Sequence, residues 1–320
     1  MVCLISNRNF EDGKSAIERE DYDHARAHFE AAIEEGWVPA LTYLASMFEQ
    51  GLGVEVDPQK SLALLFKAAD LVDAEACSRL GYLHAVGKFV EQNLGAAVEY
   101  HKMAAKQGLA NSQCDLGRHY AHGIGVQQNL AEAQRWYELA AEAGHDIAKH
   151  SLAGILLNAH NPNRDTAAGM RCLEAAASGG NVKAQYEAGS LKLGSTFPEL
   201  QDFRGADFWL SRAAKNGSID AVYQIGNCFE HGIGVEQNYE SAVYYYFEAC
   251  KQDNFEAAFA LGTLFENGLG VAQDYEAALK FYGLAAEKFH VSALFNKGRF
   301  YQFGWGVPVD HAIAHRHFLM

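Results

Sequence analysis

Histidine and cysteine are the residue types in this sequence that could bind a metal ion, and the chain contains 14 of the first and 6 of the second. His24 and His28 are four residues apart, as are His311 and His315, and this spacing places two imidazoles on one face of a helix. No cysteine or acid completes either pair at ligand spacing, and the motif HExxH is absent from the sequence. The cysteines form no CxxC motif, which is typical of reduced, small apolar residues in a cytoplasmic protein. We therefore predict a cytoplasmic chain without a metal or another cofactor.

Glycine-rich segments and serines are the other features that could take part in catalysis. The segments GLGV, GIGV and GWGV resemble a phosphate-binding loop, but none is followed by Gly-Lys-Ser/Thr; they begin at Gly51, Gly123, Gly232, Gly268 and Gly304. The sequence has no G-x-S-x-G motif, and no serine is followed three residues later by lysine. The sequence therefore predicts a protein that is not an enzyme.

The composition predicts a large core and argues against polyanionic partners. Hydrophobic residues form 49% of the chain, and 30 glycines with only 5 prolines favour helices separated by glycine turns. The formal net charge of -14 repels phosphate backbones and anionic lipids, so we expect no nucleic acid partner. No stretch of the sequence reaches the roughly 20 apolar residues of a membrane span, and the first residues have no signal-peptide core.

A repeat of 36 residues organises the chain and must position any functional side chain. A Gly or Ala recurs with spacings of 36 residues and one spacing of 37, at Ala45, Gly81, Gly117, Ala153, Gly189, Gly226, Gly262 and Gly298. An Asp or Asn recurs 12 or 13 residues later, where its side chain can accept hydrogen bonds from the first turn of a helix. An alanine follows 11 residues beyond each cap, from Ala32 to Ala285. Each repeat is therefore predicted to contain a helix A, a glycine turn and a helix B.

Residues 112–144, SQCDLGRHYAHGIGVQQNLAEAQRWYELAAEAG, combine the small residue, the G-x-G-V turn, the Asn cap and the paired alanines. This segment resembles the Sel-one-like repeat, a relative of the tetratricopeptide repeat. The resemblance implies an all-α, right-handed α/α superhelical solenoid of nine two-helix repeats, working as an adaptor or scaffold for protein partners. The expected organisation is an N-terminal extension (1–9), a tetratricopeptide-like first unit (10–39), the repeat array (40–309) and a shortened final helix (310–320).

The sequence departs from this repeat pattern in two places. The G-x-G-V turn is replaced by AHNP at 159–162 and by STFP at 195–198, loops that are expected either to be tolerated variation or to contact a partner. The last helix B lacks the alanine pair and ends on Phe318, Leu319 and Met320. Either the chain is a fragment, or this apolar end contacts a partner or another copy.

Three columns of helix A are predicted to face away from the packed core. At 100° per residue, the positions two before, one after and five after the recurring Gly or Ala lie opposite the packing face. The resemblance implies that this face lines a concave groove. Since Tyr and Arg are frequent at interaction hot spots, we expect a partner to contact Arg79, Tyr82, Asp115, Arg118 and His122, and a second polar cluster of Gln224, Asn227 and His231. Exposed positions that bind nothing would also vary among repeats, so this assignment is a hypothesis.

Two other functions stay open on the sequence alone. Some cysteine-rich relatives of this repeat are associated with penicillin recognition or β-lactam hydrolysis, but they carry paired cysteines in each repeat, which this chain lacks. Self-assembly through residues 318–320 would make the protein structural. Repeats of similar length that read RNA need a basic groove, which an acidic chain does not supply. The leading prediction is a scaffold that binds a protein segment along its A helices.

Overall fold

The computed structural model describes residues 7–158, 161, 164–194 and 196–319, which form helices, turns and loops without a β-strand. The α-helices, in chain order, are α1 (Arg8–Glu18), α2 (Tyr22–Glu34), α3 (Pro39–Gln50), α4 (Pro58–Asp70), α5 (Ala74–Val86), α6 (Leu94–Ala105), α7 (Ala110–His122), α8 (Leu130–Glu142), α9 (Asp146–Leu157), α10 (Thr166–Ser178), α11 (Val182–Lys192), α12 (Phe203–Lys215), α13 (Ile219–His231), α14 (Tyr239–Cys250), α15 (Phe255–Asn267), α16 (Tyr275–Ala286), α17 (Val291–Phe303) and α18 (His311–Leu319). A short 3-10 helix, Pro198–Leu200, precedes α12. The predicted all-α fold of two-helix repeats is confirmed.

The chain divides into two compact units, Met1–Arg164 and Asp165–Met320. Within the first unit, each helix from α1 to α9 packs on the next helix of the chain. Within the second unit, the same holds from α10 to α18. The A helices are α1, α3, α5, α7 and α9 in the first unit and α11, α13, α15 and α17 in the second; the others are B helices. The first unit is therefore a stack of four helix pairs followed by the A helix α9, and the second is the B helix α10 followed by four helix pairs.

Polar caps start the B helices, as the spacing predicts, and a left-handed glycine ends six of the A helices: α3, α5, α7, α13, α15 and α17. Asn129 accepts hydrogen bonds from the backbone N–H groups of Ala131 and Glu132, both at 3.1 Å, and so satisfies donors that the first turn of α8 leaves unpaired. Helix α7 ends on Gly123, whose φ of +68° is a left-handed conformation that glycine adopts without steric cost. Where both signals are present, they fix where the repeat turns; α1, α9 and α11 end on a residue other than glycine.

The second glycine of the turn packs against the preceding repeat. Gly125 has a φ of +71°, and a Cβ atom there would overlap the carbonyl oxygen of Leu94, the first residue of α6. Gly270 lies in the same way against Tyr239, the first residue of α14. Each such turn therefore ends its own helix A and supports the start of the helix B before it.

The recurring small residue of helix A makes room for a large side chain of helix B in the same repeat. A Cβ atom on Gly117 would lie 2.7 Å from the ring of Tyr137, and one on Gly81 would lie 2.8 Å from the ring of His101. The recurring alanine of helix B, for example Ala140, is fully buried. Large side chains therefore fill the space beside small residues, and the A helix keeps only its opposite face open.

Candidate functional site

The face of helix A opposite this packing carries polar side chains that contact one another, and we call it the open face. Arg118 donates to Asp115 at 2.7 Å, and Arg299 donates to Asn296 at 3.2 Å, so positions two before and one after the glycine share a surface. Tyr82, one residue after Gly81, is 51% exposed. The periodicity therefore placed these columns on a common, accessible surface.

A cavity opens on this face in the first unit. It is open to solvent and has a volume of about 340 Å³. Two of the residues predicted to contact a partner, Asp115 and Arg118, line it. The remaining lining residues come from α5, α7, α8, α9 and the turn before α9; they are Ser78, Asn111, Cys114, Tyr137, His145, Ile147 and Ser151. His122, one helical turn beyond Arg118, is exposed to solvent.

Arg79 has a structural partner that the sequence did not predict. Its guanidinium and the Nζ of Lys88 both donate to the carboxylate of Glu49 on α3, whose side chain is only 5% exposed. Burial alone would raise the pKa of Glu49, but the hydrogen bonds from Lys88 and Arg79 outweigh burial and lower that pKa. Arg79 therefore neutralises a nearly buried charge, whatever else its exposed edge contacts.

Two buried histidines lie behind the cavity-lining face of α7. The rings of His101 and His119 have centroids 5.5 Å apart. His119 Nδ1 donates to the carbonyl oxygen of Ile124 at 2.7 Å, which leaves its buried Nε2 without a hydrogen-bond partner among the described residues. Burial lowers the pKa of both imidazoles, that of His101 to about 4, so both are neutral at pH 7. Burial also raises the pKa of the Cys114 thiol to about 11, which makes this cysteine a poor nucleophile.

The second predicted cluster lies on α13 in the second unit. Gln224 and Asn227 are half-buried, and His231 is exposed and donates through Nδ1 to the backbone carbonyl of Asn227 at 3.1 Å. Behind them, the hydroxyl of Tyr246 donates to Glu230 at 2.5 Å, and burial followed by this hydrogen bond raises the tyrosine pKa. The three predicted residues therefore share one helix as a polar strip beside a carboxylate.

The apolar residues at the end of α18 differ in their surroundings. The ring of Phe318 packs against Gly298, as the ring of Tyr282 packs against Gly262 in the repeat before it. The ring centroids of Phe318 and Phe295 are 5.5 Å apart. Phe318 is therefore part of the packing of its own repeat. Leu319 is 74% exposed, and Met320 lies outside the described residues. A contact through this end stays a prediction.

The described part of the chain shows neither a metal-binding cluster nor a membrane-spanning helix. No group of three or more His, Cys, Asp or Glu side chains in it is arranged to hold a metal ion. None of its helices combines the length and the apolar character that a membrane crossing requires. In the two atypical loops, residues 159, 160, 162 and 195 lie outside the described residues, so a partner contact there remains a prediction.

The helix pairs, their caps and their glycine turns define a helical-repeat protein of the solenoid class. The Sel1 repeat pattern matches nine successive segments, 8–37, 38–73, 74–109, 110–145, 148–181, 182–218, 219–254, 255–288 and 291–320. The chain therefore belongs to the Sel1 repeat family, and the predicted family and number of repeats are confirmed. Proteins of this family generally act as protein-interaction scaffolds.

Two solved structures are similar to this chain over nearly its whole length. A protective antigen present in uropathogenic Escherichia coli strains, which displays an SLR fold, is 25% identical, with a TM-score of 0.84 over 97% of this chain and 67% of the antigen. A Sel1 repeat protein from Oxalobacter formigenes is 24% identical, with a TM-score of 0.74 over 99% of this chain and 91% of its own. No curated protein sequence matched the chain significantly. The two structures agree with the repeat fold described above.

Proposed function

We propose that this protein is a non-enzymatic scaffold that binds a segment of a partner protein along the open face of its A helices. The main observation in support of this proposal is the cavity of the first unit, because two of the predicted contact residues, Asp115 and Arg118, line it. The exposed ring of Tyr82 lies on the same face of the preceding A helix. The strip of Gln224, Asn227 and His231 is proposed as a second contact region.

The variation of this face among repeats supports the proposal. The position two residues before the small residue is Arg79, Asp115 and Ser151 in successive repeats of the first unit. The packed positions of the same helices stay small or aliphatic, for example Leu80 and Leu116, which are fully buried. A surface whose residues change while the core stays fixed can recognise one particular partner, with Tyr and Arg as its main contacts.

We also propose a cytoplasmic location. The thiols of Cys77, Cys114, Cys228 and Cys250 are free, and the first three are buried. Free thiols of this kind are stable in a reducing compartment. Fusion to a redox-sensitive fluorescent protein would test the location, and an oxidised reporter would contradict it.

Capture from native lysate followed by mass spectrometry tests the scaffold function. The informative variants are Tyr82→Ala and Arg118→Gln. Tyr244→Ala is the matched control, because Tyr244 is also exposed, at 60%, but lies on helix B α14. Arg79 should be changed to Gln and not to Glu, because a new carboxylate would meet Glu49. We expect Tyr82→Ala and Arg118→Gln to weaken capture about tenfold or more, a loss typical of hot spots, while Tyr244→Ala keeps the partner.

Two results would count against the proposal. An unchanged set of partners in the Tyr82 and Arg118 variants would mean that binding does not use the open face. Capture of nothing but further copies of the chain would favour self-assembly, and a Leu319→Asp variant would then test the end of α18.

A further inference from the structure

The first-unit cavity is lined by several side chains that can donate hydrogen bonds. His145 Nδ1 accepts a hydrogen bond from the backbone N–H of Ala148 at 3.2 Å, so the proton of the neutral ring is on Nε2 and can be donated. Arg118 has five N–H groups, of which Asp115 engages one nitrogen. Asn111 adds an amide NH₂ group and Ser78 a hydroxyl. These donors surround one space.

The one carboxylate among the residues that line this cavity is already paired with a cation. The carboxylate of Asp115 holds Arg118 at 2.7 Å, as an ion pair three residues apart on α7. A guest with acceptor oxygens and negative charge would therefore find partners, whereas a cation would have to compete with Arg118 for Asp115.

The N-terminus of α7 favours a guest of the same sign. Asn111 is the second residue of α7 and lines the cavity, so the partial positive charge of this helix N-terminus lies close to it, whereas the first turn of α9 already contains the carboxylate of Asp146. The side chain of Leu109, which precedes α7, accepts no hydrogen bond from the first turn of that helix, whereas the side chain of Asp73 caps α5 in this way. This contribution adds to the side-chain donors and does not replace them.

We propose that this cavity receives the carboxylate of an Asp or Glu side chain from the partner segment, bound mainly by Arg118 and His145. This proposal rests on the scaffold function proposed above and specifies the chemistry of the partner. Ile147 is 61% exposed at the cavity, and it contacts an apolar residue next to the acidic one. The whole chain has a formal net charge of -14, which repels a run of acidic residues. A partner segment with a single acid among apolar residues therefore suits the cavity better.

Asp115 acts in this arrangement as an internal competitor for Arg118. A guest carboxylate must share the guanidinium that Asp115 now holds, so removal of the Asp115 charge frees donors for the guest. Removal of Arg118 has the opposite effect. The two substitutions therefore change affinity in opposite directions if the guest is an anion, and the directions reverse if it is a cation.

Panning of a random 12-residue peptide library, displayed with its C-termini fused to the carrier, tests the proposal. Such peptides have no free terminal carboxylate, so any acid selected is a side chain. The targets are the wild type, Asp115→Asn and Arg118→Gln. Arg135→Gln and Glu132→Gln are matched controls, because this pair on helix B α8 has the same spacing, and Arg135 is 66% exposed against 57% for Arg118.

We expect the wild type to select peptides with one Asp or Glu beside an apolar residue. For a selected peptide, fluorescence anisotropy should show affinity about tenfold weaker with Arg118→Gln, severalfold tighter with Asp115→Asn and unchanged with the two controls. Replacement of the peptide acid by its amide should weaken binding to the wild type by the same factor as Arg118→Gln.

Other outcomes separate this proposal from the scaffold function. Peptides that bind more weakly to Asp115→Asn and more tightly to Arg118→Gln would show a cationic guest and overturn the proposal. Peptides that depend on Tyr82 but on neither charged residue would also overturn it, while leaving the scaffold function intact. Failure of the wild type to select any peptide would contradict both.

Discussion

Acidification should destabilise the first unit, and of its two buried histidines His101 gives the larger, better-defined effect. The imidazole takes the position that Tyr137 takes in the next repeat and is 2% exposed, so burial lowers its pKa from 6.5 to about 4. The charged and titratable groups that act on it lie on α7: Asp115 raises its pKa, whereas His119 and Arg118 lower it. Burial lowers the pKa of His101 by more than Asp115 raises it.

The size of the effect follows from comparing the folded and unfolded chains. An unfolded imidazole binds its proton as the pH falls through 6.5, whereas His101 in the folded chain binds it only near pH 4. Between these values the unfolded chain holds the extra proton and is favoured. The whole difference corresponds to about 3 kcal/mol, of which about 2 kcal/mol should be lost between pH 7 and pH 5. Above pH 6.5 this contribution is fully present.

Urea unfolding of the wild type and of His101→Tyr at pH 7, 6 and 5 measures this loss. Tyrosine should fit beside Gly81, since Tyr137 lies beside Gly117 in the same geometry, and it does not titrate in this range. The wild type should lose about 2 kcal/mol more than His101→Tyr between pH 7 and pH 5. His122→Tyr, which replaces an exposed imidazole, should behave like the wild type. Parallel losses in wild type and His101→Tyr would refute the buried neutral imidazole.

Three further predictions concern repeat packing and are measured by urea unfolding at pH 7. Gly125→Ala should cost about 2–5 kcal/mol, because positive φ strains alanine and its Cβ overlaps Leu94, whereas Gly144→Ala, with positive φ but open surroundings, should cost about 1–2 kcal/mol. Equal costs would refute the contact. Ala140→Leu should cost about 1–3 kcal/mol through overpacking, and unchanged stability would contradict the packing. Asn129→Ala should cost about 1 kcal/mol by removing the cap of α8; no loss would mean that water replaces the cap.

The repeat architecture could be predicted because backbone geometry and packing impose similar residue types in every repeat. Asn129 marks the start of a helix, and Gly123 marks left-handed backbone at the end of one. The large residue of helix B that faces each small residue of helix A also recurs with the repeat period; His101 and Tyr137 are examples 36 residues apart in the sequence. Because the residue type at this position changes from repeat to repeat, the period alone does not show that His101 belongs to it.

The candidate site could be predicted only in part. Helix periodicity alone places Asp115 and Arg118 on one face, three residues apart. The pairing of Arg79 with Glu49 depends on the distance between successive A helices, which the period within one helix does not specify. The donor role of His145 depends on its capping contact with α9. Contacts between repeats therefore required the structure, whereas contacts within one helix did not.

The contact between Gly125 and Leu94 also bears on how such a chain can change in length. A segment of one period that runs between two turns with this second glycine, for example from the turn at Gly234 to that at Gly270, carries one half of the contact for the repeat before it and one half for the repeat after it. Duplication or deletion of a whole period restores every such contact, whereas insertion of a few residues breaks one. Unequal recombination between repeats can therefore lengthen or shorten the array in steps that preserve the core, and each step displaces the open-face residues by one fixed increment.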